Sequence, residues 1–384
     1  MSSNSPTQTL AKAAPPPMQA DLLAQAGIRI DGDAPWDIRV HDPAFYRSVL
    51  TRGTLGLGES YMDGLWDAPQ LDAFFDRAMR ANLADRLGGL HKLRIALATL
   101  ANTLFNRQSA RRAHRVGERH YDIGNDIFER MLDSSMNYSC AYWANADTLE
   151  EAQRQKMDLI CRKLELRPGE KLLDIGCGWG GLAQHAARHY GVEVLGITVS
   201  REQQALAHER CAGLPVEIAL MDYRDVSGRF DKIVSVGMFE HVGEKNYAAY
   251  LDTVRRVMHD EGLFLLHSIA CGITYHYTDP WIDRYIFPGG RLPSARTLTA
   301  ALEGRFAIED WHNFGQDYDR TLMAWKENFD HAWPQLAGRY DRRFYRMWTY
   351  YLLCSAGFFR SRQGHLWQLV LSKPQRSAVY RSIR

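Results

Sequence analysis

Leu172-Leu173-Asp174-Ile175-Gly176-Cys177-Gly178-Trp179-Gly180-Gly181 is the stretch that decides the fold. An apolar run ends in an acidic residue and breaks into a glycine-rich turn that opens a helix, the pattern of a strand entering a ligand-binding loop. Glycine lets the backbone approach a ligand where any Cβ would collide. The spacing from Gly176 to Gly180 is GxGxG and departs from the dinucleotide pattern GxGxxG. A ligand without a pyrophosphate needs no phosphate cradle.

Working outward, apolar β-rich runs recur at Val192–Ile197, Val216–Leu220, Lys232–Val236 and Leu263–His267, with helical stretches between them. Phe306–Trp311 and Leu366–Leu371 are two further candidates. Five strands with helical crossovers, then two more, predict an α/β doubly wound sheet. With Asp174 before it, the glycine motif resembles the first motif of class I S-adenosylmethionine-dependent methyltransferases. The resemblance implies a seven-stranded Rossmann-like domain, with Asp174 organising the methionine end of the cofactor and Gly176 and Gly178 beneath it. In that class the second strand usually ends in an acidic residue for the ribose hydroxyls, whereas Thr198 stands at that edge here. Thr and Gln also bond hydroxyls. The third strand ends at Met221-Asp222-Tyr223, where Asp222 and Tyr223 are within reach of the adenine amino group.

The rest of the chain limits what this domain serves. Its 384 residues suffice for one large domain and a smaller one, and 46% hydrophobic content sustains a sizeable core. The formal charge of +2 sets up no global field toward nucleic acid. The local distribution is uneven: no Asp or Glu lies between Arg86 and Arg115, where Arg86, Lys92, Arg94, Arg107, Arg111, Arg112 and Arg115 are basic. Leu90, Leu93, Leu97, Leu100 and Leu104 form one helical stripe there. The stripe reads either as a helix buried against the protein or as a basic helix on an anionic membrane surface. The expected organisation is a smaller, mostly helical N-terminal domain over 1–89 that associates with lipid, its first 18 residues disordered. An amphipathic basic linker over 90–117 and a catalytic domain over 118–384 follow. The six cysteines form no CxxC pair, so no metal site is expected. No run approaches the ~18 apolar residues of a membrane span, and the start carries no apolar signal core, so a cytoplasmic location is expected.

Several segments together resemble the cyclopropane-fatty-acyl-phospholipid synthases and their mycolic acid relatives. They are Gly56-Leu57-Gly58-Glu59-Ser60-Tyr61-Met62-Asp63-Gly64, His120-Tyr121-Asp122-Ile123-Gly124-Asn125 and Met136-Asn137-Tyr138-Ser139-Cys140-Ala141-Tyr142-Trp143. The glycine motif, Thr198 to Gln203 and Phe239-Glu240-His241-Val242-Gly243 complete the set. The resemblance implies S-adenosylmethionine as methyl donor, contacted by Tyr138, Ser139, Gly176, Thr198 and Gln203. It also implies a bicarbonate ion held by Cys140, Glu240, His267, the backbone at Ile269 and Tyr318. The substrate it implies is an unsaturated phospholipid, met by peripheral association with the inner face of the membrane. A homodimer is compatible with it, and the residues alone leave the oligomeric state open.

These roles suit the chemistry. An alkene has no proton to lose before attack, so the enzyme must hold it in line with the sulfonium methyl. Transfer leaves a carbocation that water would trap, and a base must then remove a proton from the new methyl as the ring closes. Glu240 accepting the O–H of bicarbonate would raise the ion's basicity by like-charge proximity, while His267, Tyr318 and the amide orient it by donating. Each residue also has a plain reading: Glu240 as a helix cap, His267 as a satisfied core histidine, Cys140 as an apolar filler. Cys354, in an aromatic helix, reads as a buried thiol. The aromatic residues from Tyr275 to Phe287 and from Tyr340 to Phe359 suit an apolar substrate. The rival activities are methylation of a small amine and acyl-chain methyl branching; the rival without catalysis is a lipid carrier that retains the cofactor fold.

Overall fold

The structure is a computed structural model that describes residues 16–86 and 124–384. The leucine stripe, the basic residues from Lys92 to Arg115 and the start up to residue 15 lie outside the described residues. Residues 16–86 form α1 (Pro17–Ala24), β1 (Arg39–Val40), α2 (Ala44–Arg52), α3 (Thr54–Met62), β2 (Trp66–Asp67), α4 (Leu71–Arg80) and α5 (Leu83–Arg86). Helix α1 begins at Pro17, inside the stretch expected to be disordered. Proline at the first helical position costs nothing there, and Gln19 Nε2 donates to Tyr46 O at 3.0 Å.

From residue 124 the order is α6 (Asn125–Met131), α7 (Leu149–Lys163), β3 (Lys171–Ile175), α8 (Gly181–Tyr190), β4 (Glu193–Thr198), α9 (Arg201–Arg210), β5 (Val216–Leu220) and β6 (Phe230–Val236). Then come α10 (Tyr247–Val257), β7 (Met258–Cys271), α11 (Pro280–Tyr285), α12 (Ala295–Leu302), β8 (Ala307–Asn313), α13 (Gln316–Leu336), α14 (Arg342–Arg360) and β9 (Gly364–Ser372). Helix α7 shows why such segments fold locally. Its N-cap Thr148 accepts from Glu151 N, acidic Glu150 and Glu151 open it, and Arg162 and Lys163 close it along the helix dipole.

Seven strands form one sheet in the order β5-β4-β3-β6-β7-β9-β8. Strands β3 to β7 run parallel, and β9 is antiparallel to both neighbours. All seven expected strands are present. The longest departs from its expected bounds: β7 reaches Cys271 because β9 pairs with it down to Gly364. That extension carries Ile269 inside the strand, two residues beyond His267 and on the same face. The chain reverses its direction of travel across the sheet between β3 and its neighbours β4 and β6, so a crevice opens at their carboxyl ends.

Residues 28–75 bury their apolar side chains in the same cluster as α13 and α14. Tyr350 of α14 packs 5.1 Å from Phe75, 5.6 Å from Tyr61 and 4.4 Å from Trp281. Arg346 Nη2 donates to Trp66 O at 2.9 Å and to Asp67 at 2.7 Å. Much of the aromatic density expected to line a substrate pocket therefore serves this seam: Trp348, Tyr350 and Phe359 are buried in it.

Candidate active site

The crevice above β3 is a cavity lined by all nine residues expected to touch the cofactor: Tyr138, Ser139, Asp174, Gly176, Gly178, Thr198, Gln203, Asp222 and Tyr223. Gly176 takes φ +86°, and a Cβ there would sit 2.9 Å from the Met238 side chain. A Cβ at Gly181 would meet Ser135 O at 2.2 Å, so this glycine lets the 133–139 segment close over the cavity. Met136 within that segment holds φ +58°, a strained setting for a side chain of its size.

The segment is held from below by α7. Lys156 Nζ donates to Asn137 Oδ1 at 3.0 Å and to Ser139 Oγ at 2.9 Å, and Gln153 Nε2 donates to Ser139 O at 2.9 Å. Lys156 is 1% exposed. Burial pulls its pKa down to about 8, opposed by Asp133, Cys140 and Asp174. Asp174 is pushed up to about 7 by burial, with Lys156 restraining the rise, and its Oδ2 has no partner among the described residues. Tyr138 is fixed by a 2.7 Å hydrogen bond between its hydroxyl and that of Tyr351.

On the far side, Thr198 Oγ1 donates to Gln203 Oε1 at 2.8 Å, which turns the Gln203 amide N–H groups away from Thr198. Asp222 is engaged by its neighbour: both carboxylate oxygens accept from Arg224 Nη1, at 3.0 and 2.8 Å. A carboxylate has further lone pairs, so Asp222 keeps acceptor capacity where it lines the cavity.

Of the residues expected to hold an anion, Glu240, His267, Cys140 and Tyr318 are all buried. Glu240 sits in the 3-10 turn Phe239–His241 after β6, and its Oε1 accepts from Ile269 N at 2.7 Å. The Ile269 amide, expected to face the anion, is thus engaged by Glu240, because the turn brings the carboxyl against β7. Glu240 Oε2 and His267 Nε2 are buried without a partner among the described residues. Burial raises Glu240 to about 7, opposed by backbone hydrogen bonds from Glu240 itself and from Ile269. His267 is held well below its ordinary range by burial and by Lys156 and Lys163. Tyr318 lies on α13, stacked 4.4 Å from Phe359. Cys140 is fully buried, its thiol donates to Ala141 O at 3.2 Å, and burial pushes its pKa well up. Lys156 is within electrostatic reach of Cys140, Asp174 and His267.

Three polar side chains that bond the candidate site residues escaped the sequence: Gln153, Lys156 and Gln368, whose Nε2 lies 3.2 Å from His267 Nδ1. The first two read as the polar face of a helix. Gln368 alone carried a signal, as the polar residue in the otherwise apolar run Leu366–Leu371.

The family described as mycolic acid cyclopropane synthetase matches residues 108–369. The cyclopropane-fatty-acyl-phospholipid synthase of Escherichia coli strain K12 is 56% identical over 353 residues, 92% of each chain. The tuberculostearic acid methyltransferase UfaA1 of Mycobacterium tuberculosis is 35% identical over 364 residues, 87% of this chain and 83% of that one. Among solved structures, mycolic acid cyclopropane synthase CmaA1 complexed with SAH and CTAB superposes with TM-score 0.63 at 31% identity, covering 68% of this chain and 98% of that one.

Proposed function

The chain belongs to the mycolic acid cyclopropane synthetase family, and from that membership we infer that it closes the cis double bond of an unsaturated phospholipid acyl chain to a cyclopropane, using S-adenosylmethionine. The observation that carries this reading is the 56% identity along 92% of both chains with a cyclopropane-fatty-acyl-phospholipid synthase. The reaction breaks the sulfonium S–CH3 bond and forms a C–C bond to one alkene carbon, releasing S-adenosylhomocysteine. The neighbouring carbon becomes cationic, and loss of one methyl proton closes the ring.

The residues divide this work. The segment clamped by Lys156 and Gln153, with the β3 turn, positions the sulfonium, which is where most of the rate for an uncharged nucleophile arises. The buried aromatic surroundings of Tyr138, Trp325 and Tyr318 keep water from the cation and offer it π-faces. Asp174 and Lys156 compensate each other's charge beneath the cofactor.

Bicarbonate suits the Glu240 and His267 side chains, because Glu240 Oε2 and His267 Nε2 are two buried polar atoms with no partner among the described residues. Glu240, His267, Tyr318, Cys140 and, if the Glu240 carboxyl turns aside, the Ile269 amide would hold it. When bound, it supplies the proton acceptor. A carboxyl already raised to about 7 is driven further toward its acid form by an adjacent anion. Glu240 then donates to the ion, the reverse of the hydrogen bond expected from the sequence.

The substrate resides in a bilayer, and no helix among the described residues is long and apolar enough to cross one. The acid-free segment from Arg86 to Arg115 supports peripheral docking on the anionic cytoplasmic face, each Lys or Arg contributing about 1 kcal/mol. Identification of the lipid formed from labelled S-adenosylmethionine and unsaturated phospholipid vesicles tests the activity.

A further inference from the structure

We propose that Gln368 is a positioning residue that sets the tautomer of His267, so that His267 presents an Nε2–H donor to the buried anion pocket. The proposal rests on the reading of that pocket as the bicarbonate site. Gln368 and His267 are register partners on the antiparallel pair β9 and β7. Gln368 is wholly buried, and its Nε2 lies 3.2 Å from His267 Nδ1. An amide nitrogen only donates, so Nδ1 must accept, and a neutral imidazole then carries its proton on Nε2. That nitrogen is the one left without a partner.

The surroundings keep the ring neutral. Lys156 and Lys163 both oppose a third cation at His267. On the other side of Gln368, its β8 partner His312 has Nδ1 3.1 Å from Lys163 Nζ. A carboxylate in place of Gln368 would accept from Nδ1–H and turn a lone pair on Nε2 toward an incoming anion. The reverse placement of the Gln368 amide, Oε1 on Nδ1–H, would have the same effect. A glutamine that donates makes the pocket attractive to an anion without adding charge, and outer partners of this kind govern the orientation of functional imidazoles generally.

The test is a long-range proton–nitrogen correlation spectrum of the full chain labelled with 15N-histidine, with His267 assigned by its loss in His267→Gln. The expected result is an unprotonated Nδ1 and a protonated Nε2. Gln368→Glu should reverse this pattern and lower turnover about 10- to 100-fold, with S-adenosylmethionine affinity unchanged. If that variant fails to fold, Gln368→Met, which keeps the volume and loses the donor, should yield a mixture of tautomers. A protonated Nδ1 in the wild type, or the wild-type pattern retained in either folded variant, overturns the assignment. Removing carbonate from the assay separates this from the reading beneath it. Unchanged turnover with the Nε2–H tautomer present would remove bicarbonate and keep Gln368 as the setting residue. Carbonate dependence with an Nδ1–H tautomer would do the reverse.

Discussion

Lys156 Nζ donates to Ser139 Oγ at 2.9 Å from the interior of a helix, with 1% of the lysine exposed. The same ammonium bonds Asn137 Oδ1, so one buried charge fixes the strand of chain that closes over the cofactor cavity. Lys156→Met removes a charged donor worth about 1.5–3 kcal/mol per bond. S-adenosylmethionine affinity should fall about tenfold or more, measured by calorimetric titration. Unaltered affinity in a folded variant would show that the clamp is only structural.

Glu240 gives the protein a pH-dependent liability. Its folded pKa, raised to about 7 by burial, exceeds the ordinary 4.5. Its contribution is therefore fully present below pH 4.5 and is lost as pH rises through about 7. The loss is on the order of 3 kcal/mol. Asp174, raised to about 7, acts in the same direction. Glu240→Gln keeps an acceptor for the Ile269 amide and should flatten the fall in Tm across that range. Parallel Tm curves for variant and wild type would contradict the assignment.

The two glutamate and lysine sites show where the sequence was legible. The glycine turn and the strands around it were readable because apolar runs and glycine spacing are local properties. Asp174, Thr198 and Asp222 are legible at strand ends, whereas Tyr138, Ser139 and Gln203 come from the family resemblance alone. Lys156 was not, since a lysine on a helix reads as solvated until the chain that covers it is known. The engagement of Ile269 by Glu240 depends on which backbone donor a turn meets in three dimensions. Core packing is expected to take up some of the α14 aromatics, but composition alone does not say that residues 28–75 pack on them.

Cys354 is a buried thiol whose Sγ donates to Tyr351 O at 3.4 Å. Burial pushes its pKa up, away from any thiolate role. Cys354→Ser should leave turnover unchanged and cost about 1 kcal/mol of stability, from a hydroxyl placed in an apolar setting. Loss of activity in a folded variant would place this residue in the chemistry.

Docking through the basic segment predicts a salt-sensitive attachment, since exposed charges are screened beyond roughly 10 Å at 0.1 M salt. Replacing Arg107, Arg111 and Arg112 by Gln should weaken co-sedimentation with anionic vesicles and flatten its salt dependence, with S-adenosylmethionine affinity unchanged. Equal sedimentation of variant and wild type at every salt concentration would leave the segment without a membrane role.

The most direct measurement of the proposed activity supplies S-adenosylmethionine bearing a CD3 group together with vesicles of a cis-unsaturated phospholipid, and identifies the lipid by mass spectrometry before and after ozone treatment. The account predicts an acyl chain that has gained a CD2 unit, no longer reacts with ozone, and forms only in the presence of the protein. An ozone-sensitive product with a methyl or methylene branch would contradict ring closure, and an unmodified lipid would contradict the assignment as a whole.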